Sequence, residues 1–198
     1  MLGPEKFDPF RKREHEMHSA IGIVETSSIA KGYEVADAVL KTADVQIVVN
    51  RTICPGKYMV LIGGNIDAVN ASIEAGIEAG AHTVVDHFII PNIHPDVFPA
   101  INGVAAMPKI KALGIIEGFT VASIIEAADA AVKAAKIELV NIHLAMAIGG
   151  KAFVTLTGEV GAVEAAVDAG ATLIAEKGLL VEKVIIPSPR KEIINEYV

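Results

Sequence analysis

The chain has 198 residues, with 24 Asp and Glu against 17 Lys and Arg and a formal net charge of −7. An acidic chain with no basic cluster argues against a nucleic-acid partner, whose phosphates call for Lys and Arg. No apolar run reaches the roughly 18 uncharged residues of a membrane helix, and the charged start, Met1 to His18, has no apolar signal core. Hydrophobic residues make up 52% of the chain but aromatics only 5%, so the core is built from Ala, Val and Ile or is shared between subunits. The single cysteine, Cys54, fits a reducing compartment. The expectation is a soluble, cytoplasmic, oligomeric protein with neither a membrane nor a nucleic-acid partner.

Beyond an N-terminal arm (residues 1–19), the chain repeats itself. Ala20-Ile-Gly-Ile-Val-Glu25 matches Ala112-Leu-Gly-Ile-Ile-Glu117, and Ala36-Asp37-Ala38 with Lys41 matches Ala128-Asp129-Ala130 with Lys133. Gly56-Lys57 pairs with Gly150-Lys151, Ala75-Gly76 with Ala169-Gly170, and Ile89-Ile90-Pro91 with Ile185-Ile186-Pro187. Two copies, residues 20–101 and 112–198, are joined by a linker at 102–111.

Each copy reads alike. Ile21 to Glu25 is strand-like, and Ser27 and Ser28 offer N-cap hydroxyls before a helix over 29–42, where Ile29, Tyr33, Ala36 and Leu40 fit helical spacing. Val45 to Asn50 and Tyr58 to Ile62 are β-rich runs flanking a Gly/Pro turn. Asn65 or Asp67 can cap a second helix through Ala79, and Thr83 to Ile90 is a closing strand before Pro91. The second copy gives a strand ending at Glu117, a helix over 120–134, strands over 138–143 and 152–157, a helix over 161–175, and a strand over 180–186. The order βαββαβ predicts an α/β (α+β) fold of two tandem ferredoxin-like domains.

These motifs, in this order and twice over, resemble bacterial microcompartment shell domains with unpermuted strand order. The resemblance covers about residues 20–198. It implies a tandem-domain shell protein that trimerises into a flat pseudo-hexagonal tile beside other microcompartment shell proteins. Thr52-Ile53-Cys54-Pro55-Gly56-Lys57 further resembles the pore loop of a propanediol-utilisation branch that carries a cysteine in its first domain. That likeness implies a [4Fe–4S] cluster on the three-fold axis, bound by one Cys54 per chain, passing electrons across the shell to an encapsulated redox enzyme. Thr52, Ile53, Pro55, Gly56 and Lys57 would then line the pore with Ile148, Gly149, Gly150 and Lys151 of the second copy. Lys57 and the loop amides would face the negative charge of the cluster. Lys41 and Lys133, late in equivalent helices, complement the helix dipole by about 0.3–1 kcal/mol, and the resemblance also puts them at tile edges.

The chemistry of the residue types agrees with a pore loop. Glycine allows positive φ and close backbone approach, and proline fixes φ near about −65°. One thiol cannot make a disulfide within its own chain, and alone it cannot complete a metal site, which needs about four ligands. His15 and His18 lie one helical turn apart in the arm, His82 and His87 point differently, His94 is a loop residue and His143 packs on a strand. No catalytic triad, carboxylate pair, P-loop or dinucleotide fingerprint is present, so an enzyme is not expected. Two other readings share the fold: a shell tile whose pore passes a small polar metabolite without a cluster, and a ferredoxin-like regulator that binds a small molecule.

Overall fold

A computed structural model describes residues 20–103, 109–145 and 148–194. The N-terminal arm, with His15 and His18, lies outside the described residues. The first half runs β1 (Ala20–Thr26), α1 (Ile29–Thr42), β2 (Gln46–Ile53), β3 (Lys57–Gly64), α2 (Ile66–Gly80) and β4 (Val84–Pro91). After a short helix α3 (Val97–Ile101), the second half repeats the pattern as β5 (Ala112–Gly118), α4 (Val121–Ala134), β6 (Glu138–Leu144), β7 (Ala152–Gly158), α5 (Val160–Ala175) and β8 (Leu180–Ile186). A last turn of helix, α6, spans Lys191–Ile194.

Both sheets are antiparallel, in the orders β2-β3-β1-β4 and β6-β7-β5-β8. This is the ferredoxin-like arrangement, duplicated and unpermuted, that the βαββαβ reading predicts. The helices start where capping side chains satisfy orphan amides. Ser28 Oγ accepts from Lys31 N at 3.3 Å, Asn65 Oδ1 from Ala68 N at 2.9 Å, and Thr120 Oγ1 from Ser123 N at 3.1 Å.

Strand alternation divides the first sheet between two cores. Ala20, Val24, Val60 and Ile62 face α1 and α2, meeting Val35, Val39, Val69 and Ile73. Ile21, Ile23, Met59, Leu61, Phe88 and Ile90 face the other way, into a larger cluster that continues through Ile124, Ile125, Val154 and Leu156 of the second half. Helix α4 packs on β4 and β1 as well as on its own sheet, and α3 packs on β6. The two halves therefore share one core.

Helix α1 departs from the expected packing. Its buried side is Gly32, Val35, Ala36 and Val39. Of the four residues picked out by helical spacing only Ala36 is buried, while Ile29, Tyr33 and Leu40 are 39%, 62% and 49% exposed. The period was correct but most of that stripe faces outward.

Candidate functional site

The β2–β3 hairpin turns through Cys54, Pro55 and Gly56, with Ile53 opposite Lys57 in the ladder. The Cys54–Pro55 peptide is cis and Gly56 has φ 77°, a left-handed value that favours glycine. Thr52, Pro55 and Gly56 are exposed and Cys54 is half-buried. Ile53 corrects the sequence expectation: at 3% exposure its side chain belongs to the shared core, because strand alternation turns it away from the loop surface.

The equivalent hairpin of the second half lies directly against this one. Cys54 N donates to Ala145 O at 2.9 Å. Gly150 has φ 86°, and a Cβ there would stand 2.6 Å from Pro55 Cδ and 2.9 Å from Cys54 O, so no larger residue fits without displacing the loop. Gly149 is exposed with φ 67°, and Ile148 and Lys151 are half-buried. The structure thus brings Cys54, Pro55 and Gly150 together at one end of the domain junction.

Lys57 does not point its charge at the loop. Its Nζ lies 2.7 Å from Oε1 of Glu25, a fully buried carboxylate, which corrects the expectation that it faces Cys54. Glu25 Oε2 accepts from Val121 N at 3.1 Å, stabilising the N-terminus of α4 through its orphan amides and dipole. Burial pushes the Glu25 carboxyl above its ordinary value, and Lys57 counteracts this only in part. Beside it Thr120 Oγ1 donates to Asp86 Oδ2 at 2.6 Å, and His94 N donates to Asp129 Oδ1 at 2.8 Å. Glu25 and Asp86 were missed in the sequence. The signal available was that Glu25 and Glu117 end equivalent strands.

Lys151 repeats the Lys57 pairing with Glu117, but Glu117 is 30% exposed and, among the described residues, accepts no hydrogen bond from a helix N-terminus. Lys41 pairs with Asp37 at 2.6 Å and Lys133 with Asp129 at 2.5 Å, one helical turn away in each case, with lysine side chains 73% and 41% exposed. His82 and His87 are exposed, and His143 stacks on Phe153 with ring centroids 5.1 Å apart. Among the described residues no three His, Cys, Asp or Glu side chains are grouped to hold a metal, so Cys54 of one chain cannot do so alone. No described helix is long and apolar enough to cross a membrane.

The family described as BMC domain matches residues 20–93 and again 112–189. The chain belongs to the bacterial microcompartment shell family. It is 44% identical to the bacterial microcompartment shell protein PduT of Citrobacter freundii over 182 residues, covering 92% of this chain and 99% of that protein. A stretch of 87 residues, 42% of this chain, is 46% identical to 90% of the carboxysome shell protein CsoS1A of Hydrogenovibrio crunogenus. A crystal structure of a microcompartment protein from Desulfitobacterium hafniense superposes with a TM-score of 0.82 at 52% identity, over 89% of this chain and 98% of that one. A fused permuted hexameric shell protein from the RMM microcompartment, at 22% identity and a TM-score of 0.60 over 79% of this chain and 83% of that one, shows a likeness of fold alone. The shell-family assignment makes this a structural shell component of the PduT type, which assembles with other shell proteins and is not an enzyme.

Proposed function

We propose that three copies of this chain close into a pseudo-hexagonal tile whose axis is lined by the two hairpin loops, with Cys54 contributed once per chain. The observation that carries this reading is a junction completed inside the chain and left half-made on its outside. Within the chain, α4 meets the β1–β4 face of the first half through Glu25, Asp86 and the backbone of His94. The outward-facing side of the second half offers Glu117, Glu182 and Arg190 at the equivalent positions, and Val184, where Phe88 is buried, is 42% exposed. Helix α1 offers the matching acceptor: Ser28 for Thr120, Asp37 for Asp129, and exposed Ile29, Tyr33 and Leu40 for buried Val121, Ile125 and Val132. The two surfaces, both open among the described residues, differ from each other and complement each other, which is the condition for a heterologous contact that propagates into a closed ring.

A three-fold ring supports the cluster reading by its donor count. Three Cys54 thiolates supply three of about four ligands, and the second-half loops supply none. When bound, a [4Fe–4S] cluster takes up and releases single electrons. This chain's residues would hold and position it: Cys54 as ligand, its loop fixed by the Ala145 carbonyl and by Gly150 beneath Pro55. Lys57, committed to Glu25, braces the hairpin rather than facing the thiolates. The electron partner would be a redox enzyme inside the shell.

Anaerobic isolation followed by iron and sulfide analysis tests this. About one cluster per trimer is expected, lost in Cys54→Ser while native mass spectrometry still gives a trimer. Unchanged iron in Cys54→Ser would refute thiolate ligation. A trimer free of iron after anaerobic reconstitution would instead favour a pore that passes a small polar metabolite.

A further inference from the structure

Resting on that ring, we infer that the segment after β8 is an intersubunit strap: α6, through Ile193, seats on β2 of a second copy of the chain. The precedent lies within one chain. After β4 the backbone passes His94 and enters α3, whose Val97, Phe98, Ala100 and Ile101 are 0–7% exposed and which packs on β6 of the other half. Strand β6 is correspondingly covered, with Leu139, Ile142 and Leu144 buried.

The same path out of β8 leads to an undocked helix. Arg190 occupies the place of His94, and Ile193 and Ile194 occupy the places of Val97 and Phe98. Ile193 is 46% exposed. Among the described residues α6 packs on no strand of its own chain as α3 packs on β6. Strand β2, the counterpart of β6, is in turn the less covered strand: Gln46 and Asn50 are exposed, and Ile47, Val48 and Val49, though packed on the cores, are only half-buried. Among the described residues, one chain therefore carries a helical turn with an exposed isoleucine and no strand beneath it, and a strand that no counterpart of α3 covers. A single helix cannot reach its own β2 and also repeat the α3 geometry, because β2 belongs to the domain on the far side of the intrachain junction. The occupant that fits is the next copy, and the contact continues the edge on which Asp37 awaits the Arg190 backbone.

The strap makes the ring tighter than the sheet-to-helix contact alone. It also gives each interchain junction the covering that α3 gives each intrachain one.

Photocrosslinking tests it. Ile193→p-benzoylphenylalanine is introduced into full-length protein, and light and isotope-labelled chains are mixed before irradiation. The expected product is a mixed light–heavy adduct mapping to residues 46–53 of the other chain. In parallel, Ile193→Asp should raise the concentration at which trimers dissociate by about tenfold or more, with the far-UV circular dichroism of the chain unchanged. Trimers by native mass spectrometry whose crosslinks map only within one chain, or away from residues 46–53, would overturn the strap and leave the ring standing. Failure to form any trimer would overturn both.

Discussion

Helices α1 and α4 occupy the same place in two copies of one fold, and their surroundings could hardly differ more. Helix α4 is buried on almost every side, including Val121, Ile125 and Val132. Helix α1 buries one side only, leaving Ile29, Tyr33 and Leu40 in the open. The sequences are not the cause, since both faces are apolar. What differs is that the first half of the chain covers α4, and among the described residues nothing covers the outward face of α1. An apolar face that its own repeat buries is thus a record of a neighbour, and a more specific one than an exposed patch alone.

A charge placed in the two helices should separate their roles most sharply. Tyr33→Asp is expected to weaken ring closure by at least about 100-fold, equal to about 2.8 kcal/mol, because a carboxylate would be buried without a partner. Thermal unfolding of the single chain should shift little, since Tyr33 is 62% exposed there. Ile125→Asp, at the buried counterpart, should instead collapse the folded chain. Analytical ultracentrifugation beside circular dichroism distinguishes the two, and equal effects on folding would remove the distinction drawn between the helices.

A compensated pair gives the next largest effect. In the first half Gly32 lies under Tyr58, so that a Cβ on Gly32 would meet the ring at 2.3 Å. The second half has Ile124 and Ala152 at these positions: the large and small residues have traded places. Tyr58→Ala should cost about 3–5 kcal/mol as a core truncation, and Gly32→Ile should cost at least as much as typical overpacking, about 1–3 kcal/mol. The double variant should recover at least about half of the summed loss in denaturant unfolding. Simple additivity would show that the two sites do not share one space.

The smallest effect concerns Glu25, the carboxylate next to the end of β1. Burial lifts Glu25 above its ordinary value of 4.5. For a carboxyl raised in this way, its contribution to stability is complete below the ordinary value and is lost as pH rises through the raised one. The stability of the wild type relative to Glu25→Gln should therefore improve as pH falls from neutral toward the ordinary glutamate range. The opposite slope would show that the Lys57 pairing outweighs burial.

Much of this fold could be read from the chain because its signals are local. The caps at Ser28 and Asn65, the glycine turns and the duplicated strand motifs act over a few residues, and each lies where it was expected. What could not be read depended on partners far away in sequence. Lys57 finds Glu25 across 32 residues, and Val121 finds it across 96. The inward side of α1 could not be told from its outward side, since periodicity reports that a helix has an apolar stripe without saying which neighbour meets it. Adjacency to Cys54 suggests that Ile53 belongs to the loop, whereas one step along a strand reverses the direction of a side chain.

The hydrogen bond from Cys54 N to Ala145 O has an evolutionary consequence. A ring made from one repeated domain has a single loop sequence, so any change at its centre is imposed at every position at once. Here one loop bears the thiol and the other is the wall against which it is held. Substitutions in the second loop can retune the height, tilt or wetness of Cys54 while the cysteine itself stays untouched. Duplication has turned two equivalent loops into one that carries a thiol and one that serves as its adjustable mount.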